Sequence, residues 1–140
     1  MYKRQVEHGV EVIYVSNHGG RQLDFGLGGL KVLPEIVDAV GKDATIFFDG
    51  GIMRGTDVVK ALSLGADVVG IGRLQGLAAA AGGSKAIYRM LELLELEIIT
   101  CLRLLGVNDI TDLNSSLLTK DNSYGTLDAL SAFPLINEGY

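Results

Sequence analysis

This sequence has very little with which to build a covalently stapled or metal-held fold. Cys101 is its one cysteine, which excludes an internal disulfide and any site made of several thiolates. The two histidines, His8 and His18, stand alone and lack the acidic neighbours of a zinc pattern. Positive charge is scarce too: 12 Lys and Arg stand against 17 Asp and Glu, a formal charge of −5. No basic run and no RNA-binding aromatic motif occurs, which argues against nucleic acid as a partner. No apolar stretch reaches the roughly 20 residues of a membrane span. Met1 to Glu7 is polar and unlike a secretory leader. These absences lead us to expect a cytoplasmic protein without a membrane span; peripheral membrane association of a larger parent is compatible with them.

Glycine, by contrast, is plentiful. The 19 glycines among 140 residues gather at the ends of apolar runs, where sharp turns need them. The length suits one domain and the 48% apolar content supports a core. Val10 to Val15 reads as a strand, and Ser16 to Leu27 as the loop leaving it. Leu30, Leu33, Ile36, Val37 and Val40 then recur at helical spacing up to Gly41, with Pro34 expected in the first turn. Thr45 to Phe48 is a second strand, followed by a glycine-rich loop. Gly55 or Thr56 is expected to cap a helix carrying Val58, Val59, Ala61, Leu62 and Leu64. Val68 to Ile71 is a third strand, ending at Gly72-Arg73.

After this, Gln75 to Ala81 forms a short helix stopped by Gly82-Gly83, and Ser84 opens a long one. Its apolar stripe runs from Ala86 to Leu105 and includes Cys101, so that thiol is expected in packing rather than chemistry. Glu92, Glu95 and Glu97 read as its solvated face. Asp109 to Leu113 is a turn. Residues 114–140 lose the periodicity and are expected to form an irregular tail, giving a folded portion over 1–113. Met1 to Glu7 continues none of these patterns. Three continuous apolar strands alternating with helices indicate an α/β protein with a parallel sheet buried on both faces.

In parallel α/β folds the ligand sits beyond the carboxyl ends of the strands. Here those ends carry Ser16-Asn17-His18-Gly19-Gly20-Arg21, then Asp49-Gly50-Gly51, then Gly72-Arg73. His18 can take a proton near neutral pH, and the Arg21 fork can hold a carboxylate by two parallel bonds. Backbone N–H groups from Gly50 through Ile52 to Met53, with Gly72 and the Arg73 fork, suit a phosphate. Asp49 has only acceptors when ionised, so it suits hydroxyls. Each piece alone is a common turn; in register on three strands they read as a site for a small acid beside a phosphorylated polyol. His8 precedes the first strand and is expected at the surface.

These residues carry a resemblance. The run from Val15 through Ser16-Asn17-His18-Gly19-Gly20-Arg21-Gln22-Leu23 to Asp24 closely resembles the active-site signature of the FMN-dependent α-hydroxy acid oxidases and dehydrogenases, the family of glycolate oxidase, L-lactate dehydrogenase and flavocytochrome b2. Asp49-Gly50-Gly51-Ile52, Arg54-Gly55-Thr56-Asp57-Val58 and Gly70-Ile71-Gly72-Arg73 resemble its later blocks, and the likeness runs from Gly9 to Leu113. It implies the C-terminal three βα units of a TIM (β/α)8 barrel with FMN at the carboxyl face. It implies His18 as the base, Arg21 as the carboxylate anchor, Ser16 and Asp49 to Gly51 on the flavin chain, and Gly72 and Arg73 on its phosphate. The parent is then expected to be a homo-oligomer that oxidises a small L-2-hydroxy acid, lactate-like or glycolate-like, to the 2-oxo acid. Met53 departs from the family, which usually has arginine there. The family's flavin-proximal lysine and substrate-binding tyrosines belong to earlier strands, so the fragment alone is expected to be inactive. The alternative is a non-catalytic phosphate-binding or assembly module.

Overall fold

The computed structural model describes residues 2–23 and 25–119. A short helix α1 (Tyr2–Glu7) precedes the alternation β1 (Val12–Val15), α2 (Gly29–Val40), β2 (Thr45–Phe48), α3 (Gly55–Ser63), β3 (Val68–Val69) and α4 (Arg73–Leu105). The three strands form one parallel sheet in the order β1-β2-β3. Registers of Tyr14 with Phe47, Val15 with Phe48, and Phe48 with Val69 align their carboxyl ends. Asp109 to Leu113 and the start of the expected tail are described as two 3-10 turns, Ile110–Asp112 and Ser115–Leu117; residues 120–140 lie outside the described residues, as does Asp24.

Side chains alternate across a strand, and here the alternation decides which face is filled. Ile13, Val15, Ile46 and Phe48 point under the helices and join Leu33, Ile36 and Val40 of α2 and Ala61 of α3 in one core. Phe48, Leu33, Ile36 and Ile46 are each less than 2% exposed. On the other face Val12, Tyr14 and Val68 are exposed and Phe47 is half-buried. The expectation of burial on both faces is therefore corrected: helices cover one face only, and among the described residues nothing packs over the other.

Other departures are local. The first strand begins at Val12 rather than Val10, and the third ends at Val69 rather than Ile71. Gly70 still donates its N–H to Phe48 O at 2.7 Å. Pro34 lies beyond the first turn, because α2 starts at Gly29; the Leu30 carbonyl it leaves unpaired is on an exposed residue. The polar start is a helix whose Tyr2 and Val6, four residues apart, pack against the core. Gly82 and Gly83 break α4 as expected, with φ of −168° and +60°.

The long helix packs along α3 and comes closest to it at Gly55. Gly55 opens α3 so close to α4 that an added Cβ would lie 2.5 Å from Glu97 Cβ and 2.8 Å from Leu94 O. That approach brings the Glu97 carboxylate onto the α3 N-terminus. Oε2 accepts the Gly55 N–H at 2.7 Å, while Oε1 accepts Arg54 Nε at 2.7 Å and lies 2.6 Å from Arg54 Nη2. Glu97 is thus a bracket between helices rather than part of a solvated face. Asp57 completes the end of α3 by accepting the N–H groups of Met53 and Arg54 at 3.1 and 3.0 Å. Arg54, not Gly55 or Thr56, is the residue before the first helical turn.

Gly55→Ala should lower stability by about 1–3 kcal/mol through overpacking. Gly76→Ala, in α4 where an added Cβ meets nothing within 4 Å, should raise it by roughly 0.5–1 kcal/mol; denaturant melts of the two variants compare them directly. The Arg54 hydrogen bond, then the Gly55 N–H, hold the Glu97 carboxyl below its ordinary value. That stabilisation is complete above the unfolded glutamate range and disappears as pH falls through the lowered folded value. Melting temperatures of the unaltered chain and Glu97→Gln should therefore differ at neutral pH and converge in acid.

Candidate active site

The loop after β1 is locked by its own polar side chains. Ser16 Oγ accepts the His18 N–H at 3.2 Å and Asn17 Oδ1 accepts the Gly19 N–H at 3.0 Å. Asn17 Nδ2 reaches across the loop to Leu27 O at 3.4 Å. The chain then makes a 3-10 turn, His18–Gly20, in which His18, Gly19 and Gly20 have φ of +52°, +67° and +77°. Left-handed backbone costs a side-chain-bearing residue about 1–2 kcal/mol. The two glycines pass without that cost, but His18 bears it. The turn is tight enough that Arg21, three residues on, faces the same space as the imidazole.

The loop after β2 turns through Gly50 and Gly51, with φ of +119° and +74° and open space where a Cβ would stand. Among the described residues, the N–H groups of Gly50, Gly51 and Ile52 have no internal hydrogen-bond partner. Met53 differs from expectation: its N–H is already donated to Asp57, so it offers the site no free N–H. After β3, Gly72 precedes the first turn of α4 and Arg73 begins it. The first N–H groups of a helix have no intrahelical partner and attract anions. At α3 that position is filled by Glu97 and Asp57; at α4 it is open.

One cavity of about 410 Å³ joins these loops, lined by His18, Gly19, Arg21, Asp49, Gly50, Gly51, Ile52, Met53, Gly70, Gly72 and Arg73. The structure thus brings together every expected site residue except Ser16, which lines an adjoining groove along β1. His18 borders both. The geometry suits a phosphorylated polyol: unpaired N–H groups, an arginine and a carboxylate acceptor share one cavity with His18. Among the described residues no group of three or more His, Cys, Asp and Glu side chains gathers as for a metal ion, and no helix there is long and apolar enough to cross a membrane.

Tyr14 was not singled out from the sequence. Its hydroxyl donates to Asp49 Oδ2 at 3.1 Å, and its ring meets Phe47 edge-on with centroids 5.9 Å apart. Burial, then the hydrogen bond to Asp49 and its charge, push the Tyr14 phenol above its ordinary value. Strand alternation puts Tyr14 on the same face as Ser16 two residues later, and that periodicity was the available signal. The Arg54–Glu97 bracket left no such trace, because its partners are far apart in sequence.

Comparison with known proteins gives the arrangement a family. The family described as FMN-dependent dehydrogenase matches residues 2–120. An L-lactate oxidase of Nostoc sp. is 47% identical over 117 residues, covering 82% of this chain and 32% of that protein. An L-lactate dehydrogenase of Caulobacter vibrioides is 42% identical over 118 residues, covering 84% and 31%. A crystal structure of mandelate oxidase with benzoyl-formic acid superposes with a TM-score of 0.76 at 43% identity, over 79% of this chain and 33% of that one. The chain spans about a third of the length of the relatives it matches. Matched by that family over residues 2–120, this chain belongs to the FMN-dependent dehydrogenases, whose cofactor is FMN.

Proposed function

We propose that this chain is the C-terminal three βα units of a (β/α)8 barrel that oxidises an L-2-hydroxy acid, lactate-like or glycolate-like, to the 2-oxo acid. The observation that carries the reading is the cavity in which His18 and Arg21 face the same space as Asp49 to Met53, Gly70, Gly72 and Arg73. A binding module needs only the anion cradle; an acid–base side chain and a carboxylate fork beside it favour catalysis. The uncovered sheet face, with Val12, Tyr14 and Val68 exposed, suits the interior wall of a barrel whose other strands lie in the remaining two-thirds of the relatives' length. The names of the Nostoc and Caulobacter relatives support lactate as the acid.

In this reading the Arg21 guanidinium takes the substrate carboxylate by two parallel bonds and so orients the carbinol carbon. The His18 imidazole accepts the proton released on oxidation. Asp49 accepts a hydroxyl of the cofactor's polyol chain, with Ser16 on the same chain. The N–H groups of Gly50 to Ile52, the first turn of α4 at Gly72 and the Arg73 fork receive the phosphate. Met53 lines this end of the cavity but lends it no charge and no free N–H. FMN, when bound, supplies the acceptor for the two electrons.

A chimera in which this chain replaces the matching third of the Nostoc L-lactate oxidase tests the reading in a closed barrel. His18→Gln should keep FMN bound but slow flavin reduction by L-lactate by ~10²–10⁴-fold. Reduction at the unaltered rate would leave a phosphate-binding module. Arg73→Ala should weaken FMN by roughly 10–100-fold, the worth of one charge-assisted bond, measured by fluorescence titration of the apoprotein. Undiminished affinity would remove Gly72-Arg73 from the phosphate site.

A further inference from the structure

Each of the three strands contributes one residue to a small polar junction beneath the cavity. Tyr14 comes from β1, Asp49 from the residue after β2, and Gly70 from the residue after β3. Tyr14 pairs in register with Phe47 and leans edge-on against its ring, 70° from parallel, which fixes where the hydroxyl can reach. That hydroxyl donates to Asp49 Oδ2 at 3.1 Å. A Cβ at Gly70 would lie 2.6 Å from the Tyr14 hydroxyl oxygen and 3.3 Å from Asp49 Cβ. Gly70 is therefore the space in which the pair forms. Asp49 and Gly70 line the cavity, while Tyr14 approaches from the uncovered sheet face, along the adjoining groove.

We propose that Tyr14 is a positioning residue: by occupying Asp49 Oδ2 from below, it turns the carboxylate so that Oδ1 is presented to a hydroxyl of the ligand's polyol chain. This rests on the reading above, in which Asp49 faces the polyol. An unsupported aspartate on a glycine-flanked turn rotates freely and must lose that freedom when the ligand arrives. With Oδ2 held, the loss is suffered on folding instead, and the carboxylate is preorganised. Phe47 holds the tyrosine and Gly70 makes room for it.

The test uses the full chain with two ligands that share a phosphate but not a polyol, FMN and inorganic phosphate. Tyr14→Phe keeps the ring and its contact with Phe47. It should weaken FMN by about 2–10-fold, less than the roughly 10–100-fold of a direct charge-assisted bond because the tyrosine acts only through Asp49, and leave phosphate affinity within a factor of two. Asp49→Asn should weaken FMN as well, and adding Tyr14→Phe to it should cost nothing further, since the tyrosine acts only through that carboxylate. Equal losses for FMN and phosphate, or additive losses in the double variant, would overturn the role of Tyr14. An unaltered chain that prefers FMN no more than phosphate would overturn the reading of Asp49 and the proposal with it. A ligand-free measurement separates these failures. In ultraviolet titration a tyrosine component raised above the ordinary phenol range should be present in the unaltered chain and absent in Tyr14→Phe, and Asp49→Asn should bring it down. A Tyr14 indifferent to Asp49→Asn would show that the pair does not form, whatever the ligand does.

Discussion

The parallel pairing of three short strands is the constraint on which the rest depends. Parallel order forces each connection to cross back over the sheet, and the crossing helices α2 and α3 bury Ile13, Val15, Ile46 and Phe48 from one side. The same order places all three carboxyl ends at one edge. A histidine loop, a glycine turn and a helix start, which are separate in sequence, become walls of one cavity only because the register sets Val15 beside Phe48 and Phe48 beside Val69. A slip of one residue would turn Tyr14 and Asp49 to the helix side and bring core residues to the open face.

Electrostatics then decides which helix end remains available to an anion. Both α3 and α4 begin near the cavity, yet α3 is closed by Glu97 from α4 and by its own Asp57. The negative charge that a helix N-terminus attracts is already present there. Only the start of α4, beside Arg73, remains open. The bracket therefore does two things at once: it fastens the long helix to α3, and it fills a helix end that would otherwise be open to an anion.

Much of this was legible in the residues. The second strand was read at its true ends because Thr45 to Phe48 is uniformly β-branched or aromatic and bounded by turns. The break at Gly82-Gly83 and the stop at Gly41 followed from glycine alone. The cavity's residues were found from position, since strand ends in a parallel sheet converge whatever their sequence. What escaped depends on contacts distant in sequence. Glu97 looked like solvated charge until α3 was packed against its helix. Tyr14 looked like core until Asp49 was seen above it. The burial of both sheet faces was read from continuous apolar strands, which record that a face is meant to be covered but not by what; α1 escaped because six residues hold too few turns to show a period.

The backbone at His18 has one more consequence. A φ of +52° admits few residues with side chains: asparagine, aspartate and histidine enter that region several-fold more often than others, and β-branched residues hardly at all. Of the three, asparagine has no proton to trade, and aspartate in water is ionised well below neutrality. Histidine alone both tolerates the turn and changes charge near pH 7. Chain geometry and proton chemistry thus overlap at histidine, so in the proposed reaction a substitution at this position would lose either the loop or the base.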